Sequence, residues 1–135
     1  MGIYFHAKVL VENNGGIEHV LPISELGNSW ARREMFEPYI KLREDGCIPS
    51  GGKIEINREI LDRMKYYVMR FRTKAKNLYY EMESAEEKAS RVEDYEHEFR
   101  KYSEFKTWSD TVLRTYEAWE DALANPHCTP VVTFS

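Results

Sequence analysis

Over residues 3–11 the side chains Ile3, Phe5, Ala7, Val9 and Val11 alternate with Tyr4, His6, Lys8 and Leu10. A period of two turns one face of a strand toward a core, so a strand is predicted here. Residues 13–16, Asn-Asn-Gly-Gly, tolerate positive φ, and Ile17, His19, Leu21 and Ile23 resume the alternation, which together predict a β-hairpin. Pro22 cannot donate a ladder hydrogen bond and assigns the second strand to a sheet edge. Ser29 can cap a short helix over residues 30–36 that stops before Pro38, because the residue preceding proline disfavours the helical region. Two further short alternating runs, 39–42 and 53–56, are separated by Glu44-Asp45-Gly46 and Pro49-Ser50-Gly51-Gly52, which predicts a second hairpin or a long surface loop.

The pattern changes after Asn57, a good helix N-cap. Neither glycine nor proline occurs between Gly52 and Pro126, and Glu, Lys, Arg, Leu, Met and Ala dominate the stretch. Leu61, Met64, Val68, Phe71, Ala75, Leu78, Met82, Ala85, Ala89 and Val92 keep a three-four alternation that defines a heptad seam. Past Val92 the phase slips, and the apolar positions become the bulky Tyr95, Phe99, Tyr102, Phe105, Trp108, Val112, Tyr116, Trp119 and Leu123. One straight helix over residues 57–124 would extend roughly 100 Å. A fold-back into two antiparallel helices is favoured, since the aromatics of the second half need a wide receiving surface. Ser84 with Glu87 and Ser90 with Glu93 match the capping box and mark two places for the break. Beyond Asn125-Pro126, residues 131–134 read as a final strand that can join the first sheet.

The fold predicted is therefore α+β: a small, mostly antiparallel sheet with one short helix, a long coiled-coil-like helical hairpin, and a short C-terminal strand. At 135 residues and 16.0 kDa the chain suits a single domain, with a β-rich part at 1–57, the hairpin at 58–124 and the last strand at 127–135. Hydrophobic residues at 42% exclude a disordered chain, and no window approaches the ~18 apolar residues of a membrane span. The opening MGIYFHAKVLVENN lacks a basic region ahead of its apolar run and a small-residue cleavage site, and His6 stands where a myristoylation signal requires Ser or Thr. Cys47 and Cys128 have no neighbouring cysteine, the usage of a reducing compartment, so the cytoplasm is expected.

A formal charge of −4 argues against a general polyanion binder, yet it conceals two opposed blocks. Residues 58–76 carry seven basic and two acidic side chains, net +5, and include Tyr66 and Tyr67. Residues 81–98 carry two basic and eight acidic, net −6. Arg63, Arg70, Arg72 and Lys74 form a candidate anion or nucleic-acid contact, since cations neutralise phosphates and phenols stack on bases. Two adjoining blocks of opposite sign are better explained by antiparallel association of helices from different chains, with Leu61, Met64, Val68, Phe71 and Leu78 as the oligomer seam.

Catalytic chemistry finds little support. Residues 46–53 superficially resemble a phosphate loop, but the lysine comes one position late and Ile54 replaces the required hydroxyl. His97 lies among Glu93, Asp94, Glu96 and Glu98, although a di-metal bundle needs a second such cluster. His127 beside Cys128, and His6 with His19 across the first hairpin, lack a third partner within reach. No catalytic residue, cofactor or metal site is assigned. The expected function is that of a non-catalytic interaction protein, an adaptor or inhibitor that forms a homo-oligomer through its long helices and binds or sequesters a protein or small ligand. The alternative is a nucleic-acid-binding accessory protein using the basic helix 58–76.

Overall fold

The first alternation is realised as β1 (Phe5–Glu12), and the run after the turn as β2 (Glu18–Gly27). The structure, a computed structural model of the chain, describes residues 3–13, 16, 18–27, 34–88 and 92–135, with the backbone alone at 18, 85–88 and 92–94. Two helices, α1 (Arg58–Lys88) and α2 (Val92–Leu123), separate β3 (Gly52–Glu55) from β4 (Cys128–Phe134) along the chain. The four strands make an antiparallel sheet of order β2-β1-β4-β3, so the fold is α+β, as the hydrophobic pattern predicts.

Register follows from which side chains need a core. Phe5, Ala7 and Val9 are buried opposite Phe134, Val132 and Pro130 of β4, and this face receives the helices. β2 is an edge strand, as Pro22 requires. Its pairing with β1 steps from Ser24 opposite Ala7 to Pro22 opposite Lys8, which leaves Ile23 as the extra residue of a bulge. β4 starts earlier than its apolar run suggests and occupies a central position, because both β1 and β3 pair with it. At the β3 end Gly52 faces Phe134, and a Cβ there would fall inside the Phe134 ring, which packs on Phe5 at 5.9 Å. Only glycine lets that ring lie over the strand.

The run 39–42 is not a strand, and β3 pairs with β4 instead of with it. Helical structure at 34–36 continues through a 3-10 turn (Glu37–Tyr39) closed by the Ile40 N–H on the Glu37 carbonyl at 3.0 Å. Pro38 thus lies inside the turn, in a first-turn position where a missing N–H costs nothing. Tyr39, Ile40 and Ile48 pack on the core and pin the intervening loop. Ser29 and the start of its predicted helix, like Asn14 and Gly15 of the first turn, lie outside the described residues.

Asn57 caps α1: its Oδ1 accepts the Ile60 N–H at 2.9 Å. The helices run antiparallel, as contacts from Arg58 with Glu120 (3.7 Å) through Phe71 with Trp108 (4.3 Å between ring centroids) to Lys101 with Glu81 (3.9 Å) demonstrate. α1 ends at Lys88 and α2 begins at Val92, with residues 89–91 outside the described residues. Ser84 lies within α1, so its capping box marks no break, and Ser90 is outside the described residues. α1 is about 46 Å long, and its share of the main core ends near Phe71. Ala75, Leu78 and Met82 are buried further out, in an interior of the hairpin's own.

α2 is fastened to the sheet by two polar contacts. The Trp119 indole N–H donates to the Lys8 carbonyl at 3.1 Å, and its ring meets Phe36 edge-on. The Thr115 hydroxyl donates to the Thr111 carbonyl at 2.8 Å, so it accepts from Ser24, 2.6 Å away. Tyr67 and Tyr116 are buried, and burial first, then the nearby Glu34 and Glu120 carboxylates, pushes each phenol above its usual value near 10. The folded state then holds protons that the unfolded chain releases, and stability falls as pH rises above about 10. Urea midpoints measured from pH 8 to 11 are expected to drop in this window, and less steeply in the Tyr67→Phe, Tyr116→Phe variant.

Candidate interaction surface on the hairpin

A helix of this length has two long faces, and the structure commits one of them completely. Leu61, Met64, Val68, Phe71 and Leu78, the residues of the predicted oligomer seam, are buried within the chain. Phe71 alone meets Trp108, Phe105 and Tyr67, with ring centroids 4.3, 6.1 and 6.1 Å away. The seam is thus closed within the chain, chiefly by α2, and these side chains have no surface left for a second molecule. Periodicity identifies a buried stripe but not whose atoms bury it.

The opposite face of α1 carries what the heptad reading omitted. Tyr66, Met69 and Tyr80 are 59%, 62% and 54% exposed, far more than side chains of this size retain when a core is available. With Arg70, Thr73 and Asn77 they share one outward stripe, because positions three and four apart are neighbours on a helix. A shallow cavity of about 430 Å³ is lined by Tyr66, Met69, Arg70, Thr73, Lys74 and Asn77. The Arg70 guanidinium lies 5.6 Å from the Tyr66 ring, and the Lys74 ammonium 4.8 Å from that of Phe105. The surface is accordingly both aromatic and cationic. Its spacing was visible in the sequence, but Arg70, Thr73 and Asn77 in succession between Met69 and Tyr80 hide it from a search for apolar repeats.

The four candidate anion contacts separate. Arg63 is drawn inward, donating from Nε and Nη2 to the Glu34 carbonyl at 3.2 and 2.8 Å, and so anchors the segment before the 3-10 turn. Arg70 and Lys74 line the stripe. Arg72 turns to the other flank, where with Lys76, Tyr79, Tyr102 and Lys106 it borders an inter-helix groove of about 360 Å³. Among the described residues Arg70, Arg72, Lys74 and Lys76 make no ion pair, whereas Arg58 is shared between Asp62 and Glu120. These cations concentrate in the middle of α1. The acidic block lies toward the far end of the hairpin, where Phe99 is 49% exposed and its ring meets Tyr95 at 6.2 Å.

The remaining candidates stand apart. His6 and His19 do not meet, since β1 sets His6 opposite Glu25 and Val11 opposite His19. His6 Nδ1 lies 3.8 Å from Glu25, and His19 Nε2 is 3.2 Å from Asn13 Nδ2. His97 is exposed, the side chains of Glu93 and Asp94 lie outside the described residues, and no group of three or more metal-ligating side chains occurs among those described. Cys47 and Cys128 are free thiols, and the His127 backbone N–H is bound by Asn125 Oδ1 in a turn before β4. Residues 46–51 form the loop that leads into β3, with positive φ at Gly46 and Gly51, and Gly52 and Lys53 already belong to the strand. No described helix is long and apolar enough to cross a membrane. Comparison with protein-family models, with curated proteins and with solved structures finds no match to this chain.

Proposed function

We propose that this is a non-catalytic interaction protein that acts through the outward stripe of α1, with the sheet serving to hold the hairpin rigid. The observation that carries the reading is the exposure of Tyr66, Met69 and Tyr80 on one line of a helix whose other face is fully packed. Aromatic, Met and Arg side chains are the types enriched at protein contacts, and the interleaved cations select an acidic partner. The non-catalytic part is supported by the dispersal of His6, His19, Cys47, His97, His127 and Cys128: no hydrogen bond among the described residues joins two of them. The two free thiols support a reducing, cytoplasmic setting.

Native mass spectrometry of the protein purified from its own cytoplasm tests the reading. Met69→Asp is expected to leave the urea midpoint nearly unchanged, because the side chain is exposed, and to weaken complexes at least 10-fold. Complexes that survive both Met69→Asp and Tyr66→Ser would refute the stripe as the contact surface.

A second reading, a nucleic-acid-binding accessory protein, is favoured by one observation: Arg70, Arg72, Lys74 and Lys76, which make no ion pair among the described residues, lie beside exposed tyrosines. It requires oligonucleotide affinity that falls steeply with salt, and a slope reduced by about 2 to 3 when Arg70, Arg72 and Lys74 are neutralised. Binding tighter than ~1 μM at near-physiological salt with that slope would place this reading first.

A further inference from the structure

The outward positions of α1 have a regularity of their own. Tyr66, Arg70, Thr73, Asn77, Tyr80 and Ser84 are spaced 4-3-4-3-4, which makes a second heptad seam on a helix whose first seam is occupied. All six are exposed or half-exposed. Lys74 and Glu81 flank this seam on one side, and Met69, Lys76 and Glu83 on the other.

We infer that the occupant of this stripe is a second copy of the chain, docked antiparallel about a two-fold axis between Asn77 and Tyr80. The inference rests on the reading of the stripe as a contact surface and names its partner. Charge selects both direction and register. In an antiparallel pair with that axis, Lys74 of each copy lies beside Glu81 of the other, and Lys76 beside Glu83. The two-fold repeats each pair, so the interface is self-complementary and closes as a dimer. A shift of one heptad toward the N-terminus would set Lys74 against Lys74 and Lys76 against Lys76. Parallel pairing would set Arg70 against Arg70 within the seam. The small Thr73 and Ser84 face each other in the favoured register and allow close approach, while Asn77 meets Tyr80. The Glu81 carboxylate, 3.9 Å from Lys101 in its own chain, is exposed and can accept a second cation.

Polar residues in the seam specify register at a cost in stability, so the association is a modest one. Sedimentation equilibrium up to ~100 μM, with circular dichroism to confirm folding, is the experiment. The full chain is expected to dimerise. Lys74→Glu with Lys76→Glu makes the flanks uniformly acidic, and Glu81→Lys with Glu83→Lys makes them uniformly basic. Each variant alone is expected to associate at least 10-fold more weakly, and an equimolar mixture to recover a one-to-one heterodimer. In a Cys47→Ser, Cys128→Ser background, an Asn77→Cys chain mixed with a Tyr80→Cys chain is expected to form mainly the mixed disulfide. A full chain that is monomeric at ~100 μM would overturn the inference, as would a dimer indifferent to both reversals or a mixture that stays monomeric. Should the chain be monomeric while Met69→Asp still abolishes a cellular complex, the second copy is excluded and the wider interaction reading survives.

Discussion

Replacement of Trp119 by alanine is expected to cost about 3–5 kcal/mol of stability, a large share of the roughly 5–15 kcal/mol available to a domain of this size. Trp119 is fully buried at the junction of α2, the sheet and the segment carrying Phe36. Its removal opens a cavity among Phe36, β1 and α2 that rigid strands cannot close. It also withdraws the indole N–H from the Lys8 carbonyl. Trp119→Phe separates these contributions: it keeps most of the packing and loses the hydrogen bond, worth about 1 kcal/mol. Urea denaturation followed by far-UV circular dichroism measures both. A cost below 1 kcal/mol for the alanine variant would show that α2 is not docked on the sheet as described.

The second large effect is expected from Phe71→Ala, again about 3–5 kcal/mol, and its diagnostic value lies in its dependence on concentration. Phe71 packs on Trp108, Phe105 and Tyr67 of its own chain. The loss relative to the unaltered protein is therefore expected to be the same at ~1 μM and ~100 μM. A seam closed between chains would instead couple the loss to protein concentration through mass action. Tyr80→Ala, on the outward stripe, is expected to behave oppositely, with little effect on the dilute protein and a loss of association on concentration.

The candidate surface was only partly legible in the sequence. The basic block, its tyrosines and the opposed acidic block are simple counts along the chain; the basic block falls on the helix that carries the stripe, and the acidic block is divided between the end of α1 and the start of α2. Arg63 shows the limit of such a count, because a guanidinium bound to the Glu34 carbonyl cannot be told from a free one by its neighbours in sequence. The oligomer seam shows another. Leu61, Met64, Val68, Phe71 and Leu78 were identified as a buried stripe, but the sequence reading supplied an intermolecular partner where α2 of the same chain provides one. Met69 and Tyr80 escaped because an exposed apolar residue is recognised only once the inward face of its helix is known.

Local periodicity and backbone chemistry determined the element types: a period of two over β1, a glycine- and proline-free run for the helices, Asn57 as the cap of α1, and Pro22 on an edge strand. These properties depend on φ, on missing N–H groups and on which side chains must leave water, all of which belong to a residue and its near neighbours. The tertiary structure decided the central place of β4, the pairing of β3 with β4 in place of 39–42, and the antiparallel pairing of the two helices. It also decided which face of α1 remains in contact with water. Those outcomes depend on contacts between residues far apart in the chain, such as Ser24 with Thr115 and Lys8 with Trp119, whose energies no local window contains.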